Sequence, residues 1–351
     1  MRIALDISPL TIGHASQHKV RGSGFYLENL KRSLLDHFPD NKYIFFTPKE
    51  QLSGVDIVHI PYFEPFFRTL PLQKRFPTVV TVHDLIPLVF PKHFPPGIRG
   101  QIKWQIQKLA LKNMNAIITD SFASKRDIAR ILSYEEDKIH VVYLAADAVF
   151  KSVKNTSGLV GMRKKYSLPK EFVLYVGDAT WNKNLPRIIE AVSNLKIPFV
   201  MVGKALVNNE VDSSNPWNRD LVEVNKVVKN NPNILRLGFV PTEDLVALYN
   251  LATIFVMPSL YEGFGFPVLE AMASGCPVIT SKEGSLSEVA GEAAYIVDPY
   301  SVKSIEDGIK EMFSNKKLRQ EFSEKGRVQA AKFSWKKTAE QTIYVYEKIL
   351  A

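Results

Sequence analysis

Short apolar runs alternate with stretches of helical period along the chain, and the alternation occurs twice. In the first half, residues 3–7, 43–46, 57–60, 79–82, 116–119 and 140–144 read as strands, with helices over 25–37, 98–113 and 124–132. Ser124 is the expected N-cap of the last of these helices. In the second half the predicted strands are 172–176, 199–202, 234–237, 254–257, 278–280 and 295–297. Helices are predicted between them near 185–195, 216–229, 242–251 and 268–274, with another after them near 301–315. Runs that are apolar throughout suit strands covered on both faces, which is the condition of a parallel sheet packed between helices. The polar stretch 151–157 separates the two patterns, placing a linker near 148–168 and domains over 1–165 and 166–334. Two similar halves predict an α/β protein of two Rossmann-like domains with parallel sheets facing a cleft. A last helix, 335–350, is longer than the second domain requires.

Composition and charge narrow the class. Apolar residues make up 46% and charged residues 23%, a globular balance, and no apolar run approaches the roughly 18 residues needed to span a bilayer. The single cysteine, Cys276, excludes an internal disulfide and reads as a small buried residue. The opening MRIALDISPL reads as a first strand and not as a signal peptide, so the cytoplasm is the expected compartment. The net charge of +9 is unevenly divided: residues 1–165 hold 24 Lys and Arg against 14 Asp and Glu, and the remainder 21 against 22. A positive first half attracts an anionic membrane face, a phosphorylated acceptor or nucleic acid. No nucleic-acid reading module is recognisable, so nucleic acid is not an expected partner.

The densest chemistry lies over 258–291, where Glu262 and Glu270 flank a Gly-Phe-Gly-Phe-Pro turn. A strand runs into this turn and a helix starts near Pro267, so free backbone N–H groups around Phe264–Phe266 are placed to favour an anion. Gly263 and Gly265 lack Cβ atoms and allow a diphosphate to approach the backbone. A carboxylate on either side can accept hydrogen bonds from paired hydroxyls, and a diphosphate flanked by diols is a nucleotide sugar. The alternative is an ordinary strand–turn–helix with two solvated glutamates. A second strand-to-helix loop, Val176-Gly-Asp-Ala-Thr-Trp-Asn-Lys-Asn-Leu185, contains Gly177, Asn182 and the mobile cation Lys183.

Glu262-Gly-Phe-Gly-Phe-Pro-Val-Leu-Glu270, with Ala271–Val278 and the Glu288-Val-Ala-Gly-Glu-Ala-Ala string, resembles the Glu-x7-Glu region of the retaining glycosyltransferases of family 4, enzymes of the GT-B fold. The resemblance implies that Glu270 holds the ribose hydroxyls, that Glu262 holds the transferred sugar, and that the terminal helix crosses back onto the first domain. The 176–185 loop is similar to the family's Gly-x4-(Arg)-Lys-Asn motif, but Asp178 and Asn182 stand where relatives carry an arginine. Arg187, one helical turn on, is the nearest substitute cation.

In the first half, Arg21-Gly-Ser-Gly-Phe-Tyr makes Gly22 and Gly24 candidates for a loop that closes over a ligand, Gly24 on the donor side and Gly22 on the acceptor side, short of a complete dinucleotide fingerprint. His83 and Asp84, in His-Asp-Leu-Ile-Pro, lie at the carboxyl end of a buried strand, and the resemblance implies that His83 contacts the transferred sugar. Ser121, in Asp120-Ser-Phe-Ala-Ser, either touches substrate or caps a helix. The aromatic loop 62–72 and the basic helix 98–113, which carries Arg99, Lys103, Lys108, Lys112 and Trp104, suggest a lipid-linked acceptor and peripheral contact with an anionic membrane.

No Asp-x-Asp and no His/Cys cluster offers metal ligands. The expectation is therefore a metal-independent, retaining hexosyltransferase without a cofactor. It would move a hexose to a glycan or lipid-linked acceptor in cell-surface polysaccharide synthesis. Its donor would be GDP-mannose, with a UDP-sugar as the alternative. Rival readings are a nucleotide-sugar epimerase or hydrolase of the same fold, and a non-catalytic sugar-nucleotide-binding protein.

Overall fold

The computed structural model describes residues 1–10, 22–48, 50–154, 156–208, 210–229 and 231–351. Residues 11–21, which include Arg21 of the glycine-containing stretch, lie outside them. The chain divides into two compact units, Met1–Ala145 with Phe333–Ala351, and Ala146–Lys332.

The first unit is built on six parallel strands: β1 (Arg2–Asp6), β2 (Lys42–Phe46), β3 (Ile57–Ile60), β4 (Thr78–Thr81), β5 (Ala116–Thr119) and β6 (Ile139–Val141). Their order in the sheet is β2-β1-β3-β4-β5-β6. The helices are α1 (Ser23–His37), α2 (Ile86–Val89), α3 (Gly97–Lys112) and α4 (Phe122–Leu132). β3, β4 and β5 are buried at every position, the polar His59, Thr78, Thr81 and Thr119 included, as strands covered on both faces are.

The second unit contains α5 (Thr156–Lys165), β7 (Val173–Val176), α6 (Leu185–Leu195), β8 (Phe199–Val202), α7 (Arg219–Val228), β9 (Ile234–Arg236), α8 (Thr242–Leu251) and β10 (Ile254–Met257). It continues with α9 (Phe266–Ala273), β11 (Val278–Thr280), α10 (Leu286–Ala290), β12 (Tyr295–Ile296), α11 (Val302–Ser314) and α12 (Lys316–Ala330). Its sheet is also parallel, in the order β12-β11-β10-β7-β8-β9. Cys276 is buried, and burial pushes its thiol pKa up. The last helix, α13 (Trp335–Leu350), belongs to the first unit and packs on α1. Thr338 Oγ1 donates to the Tyr143 carbonyl at 2.7 Å.

Several boundaries differ from those expected. The units divide after Ala145, not at residue 165. The expected linker instead carries α5, which is tied to α8 through Asp244: Lys165 Nζ and Tyr166 OH both reach its Oδ2 at 2.5 Å. Val153 N also donates to Asn250 Oδ1 at 2.8 Å. α1 begins at Ser23, so Gly24 is a buried residue of its first turn and Gly22 is its exposed N-cap. Ser121, not Ser124, caps α4: its side chain accepts from Ser124 N at 3.0 Å.

A buried polar chain crosses the first sheet. His59 Nδ1 meets Tyr346 OH at 2.6 Å, His59 Nε2 meets Thr81 Oγ1 at 2.8 Å, and Thr81 Oγ1 meets Tyr26 OH at 3.0 Å. None of the four side chains is exposed. Burial, with His83 nearby, lowers the His59 pKa from 6.5 to about 3. Between those values the unfolded chain binds a proton that the folded chain refuses, so this group's contribution to stability falls as pH drops below 6.5. The loss is about 1.4 kcal/mol per pH unit. Urea unfolding at successive pH values should show this slope reduced by one proton in His59→Gln. Tyr346→Phe should lose about 1–3 kcal/mol at neutral pH by leaving Nδ1 without its partner.

Candidate functional site

In the second sheet β7 and β10 are neighbours and run in parallel, so the loops leaving their carboxyl ends lie side by side. Lys183 comes from the first loop and Glu262 from the second. Lys183 Nζ donates to Glu262 Oε1 at 2.9 Å and Oε2 at 2.8 Å. Ser259 Oγ donates to Oε1 at 2.6 Å. The Glu262 side chain is 6% exposed and that of Lys183 is 21% exposed, so the pair sits mostly out of water with the cation on the wetter side.

The two loops are fastened together. Asn182 O accepts from Leu260 N at 2.7 Å, and Asn182 Nδ2 donates to Tyr261 O at 3.0 Å. Asn184 Nδ2 reaches Pro258 O and Pro299 O at 2.9 and 2.7 Å. Asn182, expected among the donor ligands, is buried and also accepts from Thr180 Oγ1. Arg187, the expected auxiliary cation, donates to Asn184 Oδ1 at 2.8 Å. Gly177 is packed tightly, since a Cβ there would lie 2.9 Å from the Tyr175 hydroxyl.

Beyond Glu262 and the buried Gly263, Phe264 is buried and stacks edge-on against Phe266 at 5.4 Å. Gly265 adopts φ 100° as the N-cap of α9, a left-handed conformation that glycine enters freely. Glu270, half-buried on α9, accepts from Tyr249 OH at 2.9 Å.

Sequence reasoning did not single out the brace behind this turn. Ser285 Oγ donates to Glu262 O at 3.0 Å and to Phe264 O at 2.9 Å, and Ser285 N donates to Glu262 O at 3.1 Å. Gly284, at φ 60°, passes so close that a Cβ would lie 2.5 Å from the Glu262 carbonyl oxygen. The Gly-Ser pair just after a strand was the available signal.

In the first unit, His83 follows β4 and Asp120 follows β5, again at the carboxyl ends of neighbouring parallel strands. His83 Nδ1 lies 2.7 Å from Asp120 Oδ2. Among the described residues, His83 Nε2 and Asp120 Oδ1 are buried atoms with no hydrogen-bond partner. Burial works against the imidazolium, but the carboxylates of Asp120, Asp84 and Glu64 together outweigh it and the His83 pKa is raised. Tyr26 meets the imidazole edge-on at 4.8 Å. Asp84 Oδ1 accepts from Ile86 N at 3.0 Å, opening α2. Ser121 is buried and caps α4, and among the described residues nothing lies within 4 Å of where a Cβ on Gly22 would be. The structure thus brings Lys183, Asn182 and Glu262 together in one unit and His83, Asp84, Asp120 and Ser121 in the other. Among the described residues no three His, Cys, Asp or Glu side chains form a group able to hold a metal ion.

The chain and its fold have known counterparts. Residues 162–329 match the family described as Glycosyl transferases group 1, and residues 15–149 match Glycosyltransferase Family 4. O-antigen chain mannosyltransferase B of Escherichia coli is 30% identical over 77% of this chain and 70% of its own length. A serotype-specific mannosyltransferase, WbdA of Escherichia coli, is 29% identical over 78% of this chain, which spans only 34% of that protein. Among solved structures, Anabaena Alr3699/HepE in complex with UDP-glucose shares the fold, with a TM-score of 0.71 and 16% identity over 99% of this chain and 100% of that one. The chain therefore belongs to the GT-B glycosyltransferases, within the group that includes bacterial mannosyltransferases.

Proposed function

We propose that this chain is a retaining, metal-independent hexosyltransferase that moves mannose from GDP-mannose to a glycan or lipid-linked acceptor in cell-surface polysaccharide synthesis. A UDP-sugar is the alternative donor. The observation that carries the reading is the Lys183–Glu262 pair, held at the carboxyl edge of the second sheet beside the N-terminus of α9. The mannosyltransferase relatives and the UDP-glucose complex of the Anabaena protein support it.

In this reading the second unit takes the donor and the first unit the acceptor. The diphosphate lies against the backbone of Gly263–Phe266, within reach of Lys183. The ribose hydroxyls go to Glu270 and the hexose to Glu262. Gly24, Gly177 and Asn182 shape the donor side, while Gly22, His83, Asp84 and Ser121 shape the acceptor side. As the bond from the sugar to phosphate breaks, negative charge collects on the departing diphosphate. Lys183 and the helix N–H groups are already in place to stabilise that charge.

Stability and chemistry at the pair are separable. Lys183→Ala should slow transfer about 10²–10³-fold and lower unfolding stability by about 3 kcal/mol, because Glu262 is left buried and unpaired. The neutral pair Lys183→Met with Glu262→Gln should regain most of the stability in urea titration and none of the transfer. Recovery of transfer by this double variant would remove Lys183 from the chemistry. Glu270→Ala should weaken donor binding in calorimetry about 10–100-fold, the value of a hydrogen-bonded charged group, with a smaller effect on kcat. Thermal shift against a panel of nucleotide sugars identifies the donor, since a ligand at 100 times its Kd adds about 2.7 kcal/mol. Incubation with donor alone should leave it intact; its rapid conversion would indicate an epimerase or hydrolase instead.

A further inference from the structure

The outer face of α3 is apolar where a surface helix is normally polar. At about 100° per residue, Ile98, Ile102 and Leu109 fall within about 40° of arc, with Gln105 beside them. They are 80%, 59% and 62% exposed. The opposite side of α3 carries the buried Gly100, Gln107, Ala110 and Leu111, with Trp104 packed against the core. The helix therefore already has its core-facing side, and the outer stripe stays exposed among the described residues. The stripe continues onto the preceding aromatic segment: Phe66 is buried beside Gly100, whereas Phe67 is 60% exposed with Lys103 Nζ 5.4 Å from its ring centroid.

Charge surrounds this stripe. Residues 65–115 contain eight Lys and Arg and one acidic residue, Asp84, so they account for +7 of the chain's net +9. Arg99 and Lys103 flank the apolar arc on one side and Lys108 and Lys112 on the other, and Asp84 is turned to the Ile86 amide. A purely electrostatic partner such as nucleic acid rewards the cations and gains nothing from exposed isoleucine, leucine and phenylalanine. An anionic bilayer rewards both, the side chains entering the acyl boundary and the cations meeting the headgroups.

We infer that the face formed by α3 and Phe67 docks on an anionic lipid surface. This deepens the proposed function by specifying how the enzyme reaches a lipid-linked acceptor, and it rests on that reading only for its purpose. The test needs neither donor nor acceptor: the full chain is sedimented with vesicles of phosphatidylcholine alone or mixed with phosphatidylglycerol. Partition onto the mixed vesicles should be at least about tenfold higher, and should fall as salt is added. The pair Ile98→Asp and Leu109→Asp should cut it at least about tenfold, and so should Arg99→Glu with Lys103→Glu. All these positions are exposed, so thermal unfolding and donor binding should match the unaltered chain. A wild-type chain left in the supernatant with mixed vesicles overturns the inference. Aspartate variants that bind as wild type overturn it too. So does an oligonucleotide held equally by the wild-type chain and the aspartate variants. A chain that binds vesicles while its Lys183→Ala variant transfers normally would sink the proposed chemistry and leave this surface standing.

Discussion

Two opposite charges are kept within 2.9 Å of each other at a place where water barely reaches one of them, and much of the second unit serves that constraint. A buried carboxylate is tolerable only when it is paired and its remaining lone pairs are satisfied. Glu262 has Lys183 on both oxygens and Ser259 on one. The carboxylate stays there only if its turn cannot relax. Ser285 grips the turn from behind, and Gly284 is the residue that lets that grip be so close. On the other side, Asn182 and Asn184 lock the lysine loop to the glutamate loop through backbone groups. The sheet order makes all of this local, because β7 and β10 are neighbours although some eighty residues separate the two side chains.

The first unit uses the same device with a different cation. His83 and Asp120 also leave adjacent parallel strands, and the carboxylate is the more deeply buried partner. Lysine remains charged through the neutral range, whereas the charge on His83 depends on nearby carboxylates, Asp120 first, which raise its pKa against burial. The floor beneath His83 is rigid, since Tyr26, against its ring, is bonded through Thr81 and His59 to Tyr346 on the returning helix. That helix therefore closes the first unit's core through a buried hydrogen-bond chain as well as through packing.

Strands and sheet type were legible because their signals are local, and so was the position of Lys183, Glu262 and His83 beyond the carboxyl ends of strands. An unbroken apolar run marks a doubly covered strand, and a glycine turn between strand and helix marks a ligand edge. What escaped depends on partners distant in sequence. His59 looks like a polar blemish in β3, and its partner Tyr346 lies 287 positions away. α5 follows a polar stretch and contains two glycines, which argue against a helix by propensity. Its C-terminal residues are held to Asp244 from outside. Ser121 and Ser124 were both plausible caps, and only the geometry shows which hydroxyl accepts the amide.

The departure from the family's basic pattern at Asn182 is tied to the same constraint. Asn182 is buried, and its amide and backbone carbonyl are joined to the glutamate loop. An arginine at that point would remove the short amide that reaches Tyr261 O. Arg187 is turned to Asn184. Lys183 is left as the cation in direct contact with Glu262, its charge largely balanced by that carboxylate. In the proposed reading, a donor does not meet a bare positive patch. It exchanges partners: the diphosphate takes up part of the lysine while a sugar hydroxyl takes up part of the carboxylate. Much of the desolvation of both groups is already met in the folded chain, so binding has less of it left to overcome. Such a site favours a ligand that offers an anion and a hydroxyl together over one that offers phosphate alone.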